Sequence, residues 1–160
     1  YPWSSTYKGS LQFDERFERF SINQNKSYTS FELADLIKMN RSLFETKDKA
    51  MVLVSKLRKF KAQVDKQVEN ETDDRANKKV LIAQAVETNL PENFKLTLPI
   101  FKGQSAMTIE VEIGIDAQDL SCRLISPEVN DYIEETRDNI IDSEIDAIKK
   151  LHPTLRIFEV

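Results

Sequence analysis

One histidine, His152, and one cysteine, Cys122, are the whole supply of imidazole and thiol in this 160-residue chain. Metal sites built on His and Cys need more ligands than that. So do the Cys–His and Ser–His–Asp forms of nucleophilic catalysis. His152 precedes Pro153 at the expected end of a helix, where a side chain ordinarily serves the last carbonyls. Cys122 lies in an apolar stretch and reads as a small core residue. Gly9, Gly103 and Gly114 are isolated, so no glycine-rich loop is available to cradle phosphates. No catalytic residue, metal site or cofactor is expected, and the chain reads as non-enzymatic.

What remains is charge, in two blocks. Glu128, Asp131, Glu135, Asp138, Asp142 and Asp146 fall at offsets 0, 3, 7, 10, 14 and 18, one face of a helix. Residues 128–150 hold eight acids and three bases, a net −5. Like charges at i, i+4 cost about 0.2–0.5 kcal/mol each, so Asp131/Glu135, Asp138/Asp142 and Asp142/Asp146 weaken their own helix slightly. Such a stripe is either a solvated face or a surface for a basic partner or for divalent cations on oxygen ligands. A carboxylate nuclease would draw its acids from several elements, so no metal site is assigned. The second block runs from Lys47 to Lys61. Lys47, Lys49, Lys56, Arg58, Lys59 and Lys61 stand against Asp48, six bases and one acid, a net +5. It is either the wet side of a packed helix or a phosphate-contacting patch centred on Lys56, Arg58, Lys59 and Lys61, with Phe60 interleaved. The two blocks can also attract one another, within a chain or between subunits, which would make a homo-oligomer.

The elements that must carry these blocks follow from periodicity. Phe13, Phe17 and Phe20, spaced i, i+4, i+7, mark a short helix. Interleaved with Arg16 and Arg19, they could stack bases, but helical spacing favours core. Thr29 and Glu32 form a capping box that starts a helix through about Leu43. Thr46 caps a second helix through about Leu57. Beyond it the pattern divides. Ala50, Val54, Leu57, Lys61, Val64 and Val68 keep heptad spacing, as a helix reaching about residue 70 would. Phe60, Ala62 and Val64 alternate, and so do Val80 and Ile82 beyond the turn-like 71–77. A β-hairpin of roughly 59–70 with 78–87 accounts for both halves and is the expectation.

Phe94, Leu96, Leu98 and Ile100 then alternate, followed by Met107, Ile109, Val111, Ile113 and Ile115 against Thr108, Glu110, Glu112 and Gly114. Leu120–Ile125 is a third run. The connections 102–105 and 116–119 are short, so this is an antiparallel meander with one face in the core. Ser126, Pro127 and Glu128 are N-cap, N1 proline and first-turn acid of a helix to about Lys150. Its apolar face joins Val129, Tyr132, Ile133, Thr136, Ile140, Ala147 and Leu151, widened by Ile141, Ile145 and Ile148. A face that wide touches more than one partner. Leu155, Ile157 and Val160 suggest a last short strand.

The fold class expected is therefore α+β in a single domain. Residues 1–57 are mostly helical, and 58–126 form an antiparallel sheet of about five strands, hairpin plus meander. Residues 127–160 supply a long helix packed across one sheet face, then the final strand. With 40 % hydrophobic and 31 % charged residues the chain reads as soluble, its 3 Gly and 5 Pro argue against disorder or low complexity, and a net charge of −4 gives no overall pull toward nucleic acid or anionic membrane. No apolar run approaches the roughly 20 residues that span a bilayer. The start at Tyr1, without a secretory signal, suggests a piece of a longer protein, its C-terminal part.

The run Phe94-Lys-Leu-Thr-Leu-Pro-Ile-Phe-Lys-Gly103, the alternating strand after it, Ile125-Ser-Pro127 opening a long helix, and the closing Leu155-Arg-Ile-Phe158 together resemble the YfdQ-like proteins. These are a phage and prophage family of unknown function. The resemblance spans most of the chain, in structural motifs. It departs at Ser126, where the family often has an arginine before the proline. No catalytic residue comes with it. It implies a bacteriophage protein in the cytoplasm of a bacterial host, often encoded near genes for DNA metabolism. The first functional expectation is an accessory binding module of phage DNA metabolism, with weak nucleic acid contact through Lys56, Arg58, Lys59 and Lys61. The alternative is an interaction, inhibitory or self-assembling module that meets a phage or host protein through the acidic face from Glu128 to Asp146. No membrane partner is expected.

Overall fold

A computed structural model of the chain describes residues 6–71 and 78–158. Its elements are α1 (Glu15–Glu18), α2 (Ser30–Met39), α3 (Lys47–Glu71), α4 (Lys78–Asn89), β1 (Asn93–Leu98), β2 (Met107–Ile115), β3 (Cys122–Ile125) and α5 (Pro127–Leu151), with a 3₁₀ turn at Arg41–Leu43. The class is α+β with an antiparallel sheet. Among the described residues the sheet has three strands in the order β1-β2-β3, fewer than the about five expected.

The meander is as the alternation demands. Phe94 pairs with Val111, Leu96 with Ile109 and Leu98 with Met107. Phe94, Leu96, Leu98, Ile109, Val111, Cys122 and Leu124 are buried, while Lys95, Thr97, Thr108, Glu110, Glu112 and Arg123 face water. Period-2 chemistry thus becomes one wet and one dry sheet face. The dry face shares a single core with α2 and α3, through Leu33, Ile37, Leu57, Phe60 and Val64.

The hairpin of 59–70 with 78–87 is not formed: helix replaces it on both sides. A strand would bury Phe60, Ala62 and Val64 together. Here Phe60 and Val64 are buried, four apart, and Ala62 is exposed. The heptad stripe was the true period, and the three-residue alternation was a coincidence within it. Gln63 to Glu71 contains only helix-tolerant residues and no glycine or proline to stop α3 at Leu57. Helix α4 packs on α3 through Ala85, and the Asn89 side chain donates to Gln67 Oε1 at 3.1 Å.

The caps act as their residue types require. Thr29 Oγ1 accepts from the Glu32 amide at 3.1 Å, and Thr46 Oγ1 from the Lys49 amide at 3.1 Å. Helix α2 ends at Met39, before Leu43, where the 3₁₀ turn takes over. Of the aromatic stripe, Phe17 and Phe20 are buried, and Phe13 stacks on Phe101 with centroids 5.3 Å apart. Phe17 and Phe20 are core and closed to bases, while Phe13, 36 % exposed, lies at the rim. Residues 155–158 are irregular, not a strand, and Val160 lies outside the described residues.

Candidate functional site

Helix α5 starts where β3 stops, and a small polar joint fixes the turn. Ser126 is fully buried. Its Oγ donates to the Glu110 carbonyl at 2.6 Å and accepts from the Val129 amide at 3.4 Å. The Asn23 side chain closes the joint from the other side. Its Nδ2 donates to the Ser126 carbonyl and its Oδ1 accepts from the Ser126 amide, both at 2.8 Å. Asn23 has φ +62, a left-handed conformation that asparagine tolerates better than most residues. The Glu128 carboxylate accepts from the Glu110 amide at 3.2 Å. The first turn of α5 therefore occupies the margin of β2 that a longer β3 would have paired.

The helix does not lie across a sheet face as expected. Only Val129 is buried along its 25 residues; Tyr132, Ile133 and Ile140 are half-covered by the core. Tyr132 reaches Phe101 at a centroid distance of 6.2 Å. Past Ile141 and Ile145 the cover thins, and Ile148 and Leu151 are 40 % and 76 % exposed. Leu155 and Phe158, just beyond, are exposed as well. Asp131, Glu135, Asp138, Asp142 and Asp146 all face solvent, as does Glu128 in its residue average. At 1.5 Å per residue the helix is about 37 Å long. It thus presents an acidic stripe along its length and an uncovered apolar end.

The basic block is divided by its own helix. All six of its cations are exposed on α3, and Phe60 is completely buried, so it stacks on no base. Lys56 and Arg58 are two residues apart and point about 200° apart around the axis, at 100° per residue. Lys49, Lys56 and Lys59 share one flank; Lys47, Arg58 and Lys61 share the other. Arg58 is paired with Asp35 of α2 at 2.7 Å, and Lys49 with Glu45. The four cations expected to act together as a phosphate patch therefore belong to two surfaces.

On the Lys49–Lys56 flank the structure adds a feature that no stretch of sequence displays. An open groove of about 390 Å³ runs between α3 and the start of β1. Lys49 and Lys56 stand on one wall and Lys95 on the other, with Phe44, Leu53 and Phe94 on the floor. Phe44 and Phe94 stack at 5.4 Å. The Glu45 carboxyl is held below its usual range by its hydrogen bond and charge pairing with Lys49, and more weakly by Lys95.

Among the described residues no group of His, Cys, Asp and Glu is placed to hold a metal ion, and no helix is long and apolar enough to cross a membrane. Burial pushes the Cys122 thiol up to about 12, which makes it inert as a nucleophile at neutral pH. His152 ends α5, its backbone amide donating to the Ile148 carbonyl at 2.8 Å. Comparison with known proteins adds no relative: no family model, no curated protein and no solved structure matches the chain.

Proposed function

We propose that this chain is a non-enzymatic protein-binding module that works through α5. One observation carries the reading: a 25-residue helix with a single buried side chain, acidic along one side and apolar at its far end. An amphipathic helix normally covers its apolar stripe against its own fold. Here the far end of the stripe, Ile148 and Leu151, is left for another molecule, and the acids of the same helix select a basic one. The occupant is a phage or host protein with an apolar groove rimmed by Lys and Arg, the helix-in-groove mode of recognition. The resemblance carried by Phe94–Gly103 and Ser126–Pro127 supplies the setting, the cytoplasm of a phage-infected bacterium.

The test uses the full chain with a photo-crosslinking residue at Leu151, expressed in a bacterium carrying the phage genes. One discrete adduct is expected. Asp138→Lys with Asp142→Lys should abolish it, and moving the crosslinker to Thr97 on the wet sheet face should give none. Equal crosslinking from Leu151 and Thr97 would contradict the reading. An adduct of twice the chain's own mass would make the occupant a second copy.

Weak nucleic acid contact is the lesser reading. It keeps Lys56 and Lys59, which share a flank and have no ion-pair partner among the described residues, and it leaves out Arg58 and Lys61.

A further inference from the structure

We infer that the groove between α3 and β1 is a second binding site, one that takes an extended acidic peptide by strand addition. Three observations converge on it. First, β1 is an edge strand. Among the described residues its only strand partner is β2, and on its outer side a single bridge from Phe44 closes it at Leu96. Asn93, Phe94 and Lys95 border the open groove instead. An edge of this kind offers backbone donors and acceptors to an incoming extended chain. Second, three ammonium groups and one carboxylate line the groove, a net +2 on a chain whose total is −4. Lys56 and Lys95 have no ion-pair partner among the described residues. Glu110, opposite Lys95 on β2, accepts instead from the Asn93 side chain at 2.6 Å. Third, apolar surface lies beside the lysines. Val52 of α3, 56 % exposed, stands above a floor of the largely buried, stacked Phe44–Phe94 pair and suits the aliphatic side chains of a strand that puts its acids toward the lysines.

The chemistry of the ligand follows. Side chains alternate along an extended peptide, so a sequence alternating acid and aliphatic residues turns its acids to one side and its aliphatic residues to the other, matching a groove that offers both lysines and apolar surface. Nucleic acid would use the lysines but neither the strand edge nor the aliphatic floor. Glu45 holds Lys49 in the empty groove and is displaced when a ligand carboxylate arrives. This site is independent of α5 and stands or falls without it.

The test is fluorescence anisotropy with a labelled peptide alternating glutamate and valine, at low salt, using the full chain. Saturable binding is expected, weakened about tenfold or more by Lys56→Glu with Lys95→Glu and unchanged by Lys61→Glu on the other flank. Glu45→Gln should tighten it several-fold by freeing Lys49. Amide shifts in a ¹⁵N correlation spectrum should centre on Asn93–Lys95, and a peptide N-methylated on alternate residues should bind much more weakly. The inference is overturned if the peptide does not bind up to millimolar concentration; the lysines then only guard a strand edge. It is equally overturned if Lys61→Glu weakens binding as much as the groove variants, or if oligothymidylate binds the groove more tightly than the peptide.

Discussion

Helices α3 and α5 have the same length, 25 residues each, and both are amphipathic. One is the spine of the core; the other buries only Val129 in it and rests Tyr132, Ile133 and Ile140 half-covered against it. Along α3, Ala50, Leu53, Val54, Leu57, Phe60 and Val64 are buried against α2, α4 and the sheet. Along α5 the apolar stripe is as regular, but among the described residues its far half is covered only in part: Ile141 and Ile145 are half-buried, and Ile148 and Leu151 are exposed. Helix α3 has elements before and after it to pack against. Helix α5 follows the last strand, and after Leu151 only the irregular 152–158 is described. An apolar period shows that a helix has a face to cover, and says nothing of what covers it.

The contrast is broken or sharpened most strongly by truncating each stripe. Leu57→Ala on α3 should lower the unfolding free energy by about 2–5 kcal/mol. Leu151→Ala on α5 should change it by less than about 0.5 kcal/mol, as an exposed position does. Urea titrations followed by far-UV circular dichroism compare the two directly. Similar losses would mean that the far half of α5 is packed after all.

A smaller effect is expected at the joint between the two regions. Ser126→Ala removes a helix cap and leaves the Glu110 carbonyl without its hydroxyl partner. The cost should be about 1–2 kcal/mol, with faster hydrogen exchange confined to the first turns of α5. A loss that leaves those turns protected would assign the serine to the sheet alone.

The smallest effect concerns the body only. The Asp14 carboxyl is held below its ordinary value of 3.8, chiefly by its hydrogen bond from Arg16. A depressed carboxyl contributes stability that is fully present above its ordinary pKa and is lost as pH falls through the folded value. Asp14→Asn should therefore flatten the acid limb of the melting-temperature profile below about pH 4 and leave the neutral region less affected. An unchanged acid limb would show that Arg16 does not hold the charge in solution.

The sequence was a good guide where one local signal settled one local structure. The period of Met107–Ile115 set the sheet's faces, and Thr29, Thr46 and Ser126 each capped the helix they precede. It misled where two periods competed. Phe60, Ala62 and Val64 fit a strand over three residues and a helix over twenty, and packing on α2 decided for the helix. The site was less legible than the fold. Reading charge as a run joined Lys56 to Arg58, which a helix turns to opposite flanks. Lys95 never entered that run, because it lies on a strand and meets Lys49 and Lys56 only once β1 settles beside α3. The acidic stripe was visible as spacing, but the bareness of the helix end beside it is a property of the whole fold.

Native-state hydrogen exchange tests most directly whether the far half of α5 serves a partner and not the fold. Without any partner, amides of residues 141–151 should exchange through local opening, at rates nearly independent of low denaturant. Amides of residues 53–64 in α3 should exchange only by global unfolding. If residues 141–151 are instead protected to the same free energy as α3, the helix is part of the core and the proposed binding surface does not exist.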